Sequence, residues 1–147
     1  MKPSFMDAAL DEARAAGEAG EVPVGCVIVR AGEIVARAGN RTLRDKDPTA
    51  HAEMVALRAA AAALRTERLI DCDLYVTLEP CAMCAAALSF ARIGRLYYGA
   101  DDPKGGAVDH GVRFFASPTC HHRPEVYGGI GEADAAALLR DFFRARR

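Results

Sequence analysis

The sequence predicts an α/β layered domain built on a mixed sheet, and three observations carry that expectation. Short β-rich runs alternate with longer helix-forming runs, the pattern that lays helices over a partly parallel sheet. The first two β-rich runs are separated only by Ala31-Gly32, a hairpin spacing that makes part of the sheet antiparallel. At 147 residues, 51% apolar and 27% charged, the chain suits one domain (residues 1–147) with a sizeable core.

Ser4, with Asp7 three residues later, reads as a helix start, and Gly17 or Gly20 ends that helix after about Ala16. Val22 to Val29 and Glu33 to Ala38 are the hairpin strands. Arg41 to Pro48 is a polar loop, after which Thr49 opens a second helix reaching about Leu64. Asp73 to Leu78 is a short buried strand. Pro80 suits the first position of a third helix, where its missing N–H costs nothing, and that helix runs to about Ala91. Arg95 to Gly99 is a strand, and the Gly-, Asp- and Pro-rich stretch to Pro124 is mostly loop. A last strand near Val126 precedes a helix from about Glu132 to Arg146.

Bulk properties narrow the function classes. The net charge of −1 gives no global basic field for nucleic acid. Charge is local: Arg140 to Arg147 carries four arginines against one aspartate. On charge alone this is a solvated helix end whose cations suit the helix dipole, in preference to a phosphate-binding patch. The opening stretch lacks the apolar core of a signal peptide and no run approaches a membrane span, so a cytoplasmic protein with no membrane partner is expected. Five cysteines in a reducing compartment argue against a disulfide framework and favour metal binding by any close pair.

Two short motifs carry chemistry. Thr49-Ala50-His51-Ala52-Glu53 and Glu79-Pro80-Cys81-Ala82-Met83-Cys84 each stand at a predicted helix opening. A helix N-terminus favours thiolate, which fits either a redox dithiol or a metal site. Two thiolates and an imidazole suit zinc. Cys81, Cys84 and His51 make three donors, whereas structural zinc sites close with four; three leave a position for water, the catalytic arrangement. Glu53, two residues beyond His51, falls beside the metal, where a carboxylate works on the water and moves its proton. A redox pair needs neither His51 nor Glu53. For a closed site the obvious fourth donors are Cys72, read as a buried small hydrophobe like Cys26, and the Cys120-His121-His122 run, whose adjacent side chains point apart.

Taken together, His-x-Glu and Pro-Cys-x-x-Cys resemble the signature of the zinc nucleobase deaminases of the cytidine/deoxycytidylate deaminase superfamily. Further stretches resemble the bacterial tRNA-specific adenosine deaminase family: Glu21 to Gly25, Asn40-Arg41, Asp47 to Glu53, Arg68-Leu69-Ile70, Leu74 to Cys84, Ala91 to Arg95 and Leu138 to Arg147. They cover most of the chain. The first four are shared loosely with other purine-base deaminases, and Asp141-Phe142-Phe143-Arg144 is what points to tRNA. The stretch 105–124 departs from the enterobacterial pattern, which bears on flanking-nucleotide choice and not on the chemistry.

The resemblance implies a three-layer, cytidine-deaminase-like fold with a mixed five-stranded sheet flanked by helices, assembled as a homodimer with one Zn2+ per subunit. It implies hydrolytic deamination of adenosine to inosine at the wobble position of a tRNA anticodon loop. Carried over residue by residue, His51, Cys81 and Cys84 are zinc ligands and Glu53 the proton shuttle. Asn40, Val24 and Ala50 contact the substrate, and Asp102, Lys104, Phe142, Phe143 and Arg144 lie against RNA. Read from the residues alone, Asn40 is a turn residue after Gly39, and one or both phenylalanines pack in the core. Two other functions stay open at this point: a free-base deaminase acting on guanine or cytosine, and a zinc-stabilised binding module without turnover.

Overall fold

In the computed structural model of the protein, which describes residues 4–146, Ser4 and Asp7 open helix α1 (Phe5–Glu18) as a reciprocal cap. The Ser4 hydroxyl accepts from the Asp7 N–H and the Asp7 carboxylate from the Ser4 N–H, both at 3.1 Å. Strands β1 (Gly25–Arg30) and β2 (Glu33–Gly39) form the expected hairpin. Its two turn residues, Ala31 and Gly32, both take positive φ (52° and 78°), the primed-turn geometry that matches strand twist. Then follow α2 (Ala52–Leu64), β3 (Cys72–Leu78), α3 (Ala82–Ala91), β4 (Arg95–Ala100), a 3-10 turn at Phe114–Ala116, β5 (Glu125–Tyr127) and α4 (Glu132–Ala145).

The strands form one mixed sheet in the order β2-β1-β3-β4-β5. β1 is antiparallel to both β2 and β3, while β3–β4 and β4–β5 are parallel. Helices cover both faces. Ile28, Leu74, Val76 and Leu96 pack with Ala56 of α2 and Leu88 of α3. On the other face Val27 and Val29 meet Met6 and Leu10 of α1 and Ala135 of α4. Burial on both faces explains why β1 reads as one unbroken apolar run. The backbone of α1 lies directly on β1: a Cβ at Gly25 would stand 2.0 Å from the Ala9 carbonyl oxygen. Among the described residues no helix is long and apolar enough to cross a membrane.

The element boundaries differ from the sequence reading where they matter most. α2 begins at Ala52, not Thr49, because the Asp47 carboxylate accepts from both the N–H and the hydroxyl of Thr49 (2.8 and 2.7 Å) and holds that stretch in a turn. α3 begins at Ala82, and Pro80 precedes the cap instead of taking the first helical position. β1 starts at Gly25, three residues later than expected, and the loop before β5 contains a 3-10 turn that the sequence did not announce. Arg147, the last of the closing arginines, lies outside the described residues.

Candidate metal centre and substrate cavity

The revised helix starts make His51 and Cys81 the N-cap residues of α2 and α3, both with extended backbone (ψ 155° and 176°). Cys84 follows in the first turn of α3, and Glu53 in the first turn of α2. Neither side chain is spent on a capping hydrogen bond, and the two face each other across the helix starts. His51 Nδ1 lies 3.6 Å from the Sγ of both Cys81 and Cys84. A tetrahedral zinc with Zn–S of about 2.3 Å and Zn–N of about 2.05 Å has an N···S edge of about 3.6 Å. Two soft sulfurs and an imidazole at that spacing fit zinc, and the three ligand atoms all fall within 4.8 Å of one another.

Electrostatics agree with that geometry. A hydrogen bond from the Cys84 thiol, opposed by burial and reinforced by His51, holds Cys81 down to about 4. Cys84, as the donor to Cys81, is pushed well above the ordinary thiol value. The hydrogen bond with Cys81 raises His51. Burial pushes Glu53, only 4% exposed, up to about 7. A cation among the three donors would displace the remaining thiol proton.

These groups open onto a cavity of about 340 Å³ walled by Val24, Asn40, Leu78, Asp102 and Gly105, with His51, Glu53 and Cys81 on its surface. It lies off the carboxyl ends of the parallel strands β3 and β4, where open α/β sheets place their ligands. A larger cavity of about 730 Å³ sits at the opposite ends of those strands, beside Asp73 and Arg95, away from the donors. Asn40 proves to be more than a turn residue. Its Oδ1 accepts the N–H of Ala52, the first residue of α2, at 2.8 Å, which leaves its amide N–H donors for the cavity. Ala50 is not among the residues that wall the cavity; it is buried, and its carbonyl accepts from the Arg41 N–H at 2.9 Å.

The residues expected to meet RNA divide into two groups. Asp102 lines the cavity and Lys104 stands exposed two residues on. Phe142 and Phe143 do not pack in the core: Phe143 is 50% exposed, and the Arg146 guanidinium lies 3.5 Å over the half-buried Phe142 ring. Arg144 is exposed, with Asp141 at 3.8 Å. The Cys120-His121-His122 run does not gather into a metal site. Cys120 Sγ donates to the His122 carbonyl (3.0 Å), His122 Nε2 donates to the Ile93 carbonyl (2.7 Å), and His121 points to solvent.

Two buried glutamates escaped the sequence reading. Glu21 accepts from the backbone N–H groups of Leu43 and Arg44 and from the Arg44 guanidinium (2.9–3.1 Å), pinning one loop beside the cavity. Burial opposes its charge, but those bonds outweigh it and hold the carboxyl below its ordinary value. Glu79 does the same for the segment after β4. For Glu79 the available signal was a charged residue between a buried strand and a proline.

Comparison with known proteins bears on this arrangement. Residues 1–100 match the model of the cytidine and deoxycytidylate deaminase zinc-binding region. The chain belongs to that family. It is 63% identical over 143 residues to the tRNA-specific adenosine deaminase of Agrobacterium fabrum, spanning 97% of this chain and 94% of that one. A solved structure from work on A-to-I editing by tRNA:A34 deaminases superposes with a TM-score of 0.91 at 63% identity, covering 92% of this chain and 98% of its own. A guanine deaminase from Bacillus subtilis is more distant, at 30% identity and a TM-score of 0.66 over 97% of this chain and 91% of its own. The five-stranded mixed sheet flanked by helices is thus the family's architecture.

Proposed function

We propose that this protein is a hydrolytic tRNA deaminase that converts the wobble adenosine of an anticodon loop to inosine, acting in the cytoplasm as a homodimer with one zinc per subunit. The observation that carries the chemistry is the convergence of His51, Cys81 and Cys84 at tetrahedral spacing with buried Glu53 beside them on the cavity wall. The substrate class is supported by 63% identity to a tRNA-specific adenosine deaminase across nearly the whole chain, against 30% to a guanine deaminase. The homodimer reading draws on Phe90 of α3, 73% exposed.

His51, Cys81 and Cys84 would hold the zinc. When bound, it supplies a Lewis acid that makes a water acidic near neutral pH. The chain's own residues do the rest. A cavity of about 340 Å³ admits one nucleoside and not a helical stem, so the adenosine enters splayed out of its loop. Asn40 donates its free amide hydrogens to that nucleoside while its oxygen stays on Ala52, and Val24 packs against it. Ala50 acts through its backbone bond to Arg41, which ties the Asn40 strand end to the entry of α2. Water oxygen adds to C6 of adenine. Glu53 takes one proton of that water and delivers it to ring N1, then carries the remaining hydroxyl proton to the amino group, so that C6=O forms as the C6–N bond breaks and ammonia leaves. Lys104 and the exposed Phe143 and Arg144 supply phosphate and stacking contacts to the RNA, with Asp102 at the cavity mouth.

Incubation with an arginine tRNA anticodon stem-loop, and separately with guanine and cytosine, tests the reading. Inosine at the wobble position with neither free base consumed is the expected result. Guanine consumed without inosine would assign the protein to free-base chemistry, and no turnover with any of the three, at full zinc content, would make it a binding module.

A further inference from the structure

The segment from Asp101 to His110 follows β4 and folds back over the end of β3. It contains almost no regular structure, yet its backbone donors converge on one side chain. Glu79 Oε1 accepts from the Asp102 N–H at 3.0 Å and meets His110 Nδ1 at 2.7 Å. Glu79 Oε2 accepts from the N–H groups of Val108, Asp109 and His110 at 3.0–3.1 Å. The side chain is fully buried. With five donors on two oxygens, neither has capacity left for a cation, so the grouping of Glu79, Asp101 and His110 is not a second metal site.

The segment is shaped to the carboxylate. A Cβ at Gly106 would stand 2.5 Å from Glu79 Cδ and 2.6 Å from Oε2, so only glycine lets the chain wrap so closely. The Ala107 N–H closes the wrap on the Pro80 carbonyl at 2.8 Å. Two residues of the wrapped segment, Asp102 and Gly105, are cavity wall. Pro80 itself leads into Cys81, so one short stretch fixes both the metal-side helix and the opposite wall.

We propose that Glu79 is a positioning residue for the nucleic-acid substrate: its buried carboxylate folds residues 102–110 into the wall that receives the anticodon loop. The inference rests on the tRNA deaminase reading for its substrate and on the Glu79 contacts for its structure. Glutamine is not a substitute. An amide at either oxygen position turns an NH2 group towards two or three donors that need an acceptor.

The test uses the zinc-loaded protein with Glu79→Gln, Gly106→Ala and the double variant. Metal content, steady-state deamination of the stem-loop and amide hydrogen exchange are measured on each. Both single variants should keep one zinc per chain and exchange residues 102–110 at least about tenfold faster. Their KM for the stem-loop should rise about tenfold with kcat held within about threefold, because the wall binds substrate and does not touch the reacting atoms. The double variant should be no worse than the poorer single one, since both break the same wrap. Unchanged exchange, a kcat loss at constant KM, or effects that multiply in the double variant would each overturn the proposal. If Glu79→Gln fails to fold, Gly106→Ala is decisive on the same readouts. Wild-type protein that makes no inosine would sink the tRNA reading, while the exchange comparison would still decide whether Glu79 orders the segment.

Discussion

Replacing Asn40 by aspartate and by alanine separates the helix cap its amide makes from the substrate contact proposed for it. The oxygen caps the first N–H of α2 at 2.8 Å, and the residue lines the cavity with its amide hydrogens not engaged by that bond. Alanine removes both. Losing a side-chain cap costs about 1 kcal/mol, which lowers Tm by about 2–4 °C in a chain of this length. Aspartate keeps an acceptor on the Ala52 N–H and adds a negative charge at a helix N-terminus, worth about 0.3–1 kcal/mol. Its Tm should therefore equal or exceed that of the wild type. Yet aspartate offers the substrate no donor and leaves a nucleoside acceptor unpaired, at a cost of about 1–3 kcal/mol, or about 5- to 150-fold in kcat/KM. Near buried Glu53 the added charge works in the same direction. Thermal melts paired with steady-state inosine formation read both quantities. An aspartate variant with wild-type kcat/KM and a lowered Tm would refute the division of roles.

Three further outcomes follow from the same structure. Ala31 sits at φ 52° in a turn that favours asparagine, so Ala31→Asn should raise stability by about 0.5–1 kcal/mol in a denaturant melt. The contact with Glu79 raises His110; burial pushes Glu79 up, but its hydrogen bonds outweigh that and hold it low. A raised histidine stabilises fully below about 6.5 and loses that contribution as pH rises through its folded value, and a depressed carboxylate loses its own as pH falls through its folded value. The Tm difference between wild type and His110→Ala should thus peak between about pH 4.5 and 6.5 and shrink on either side. Truncation after Arg140 removes exposed Phe143, Arg144 and Arg146 but none of the buried core, so stem-loop binding by fluorescence anisotropy should weaken and lose salt dependence while zinc content holds. Equal loss of both would make the end of α4 purely structural.

Much of this molecule was legible in its sequence because the signals were local. The Ser4-Asp7 cap, the Ala31-Gly32 hairpin and the alternation of strand and helix runs all formed as their residues dictate. The donor set was legible too: His51, Cys81 and Cys84 meet although 30 residues separate the first two. The helix starts were misplaced by two or three residues because a side chain decided one of them: Asp47 holds Thr49 in a turn, and that makes His51 a cap. The segment 101–110 was illegible for a deeper reason. Its fold is set by Glu79, more than twenty residues upstream, through bonds to backbone N–H groups that carry no sequence pattern. Phe142 and Phe143 were ambiguous because an aromatic pair near a helix end reads equally as core or surface; only the placement of α4 decided it.

The most direct measurement is inosine formed at the wobble adenosine by a Glu53→Gln variant carrying the same zinc content as the wild type. Glutamine keeps the shape of the side chain but cannot take a proton from water, so the account predicts intact metal and stem-loop binding with inosine formation reduced at least about a thousandfold. Near wild-type deamination by that variant would contradict it.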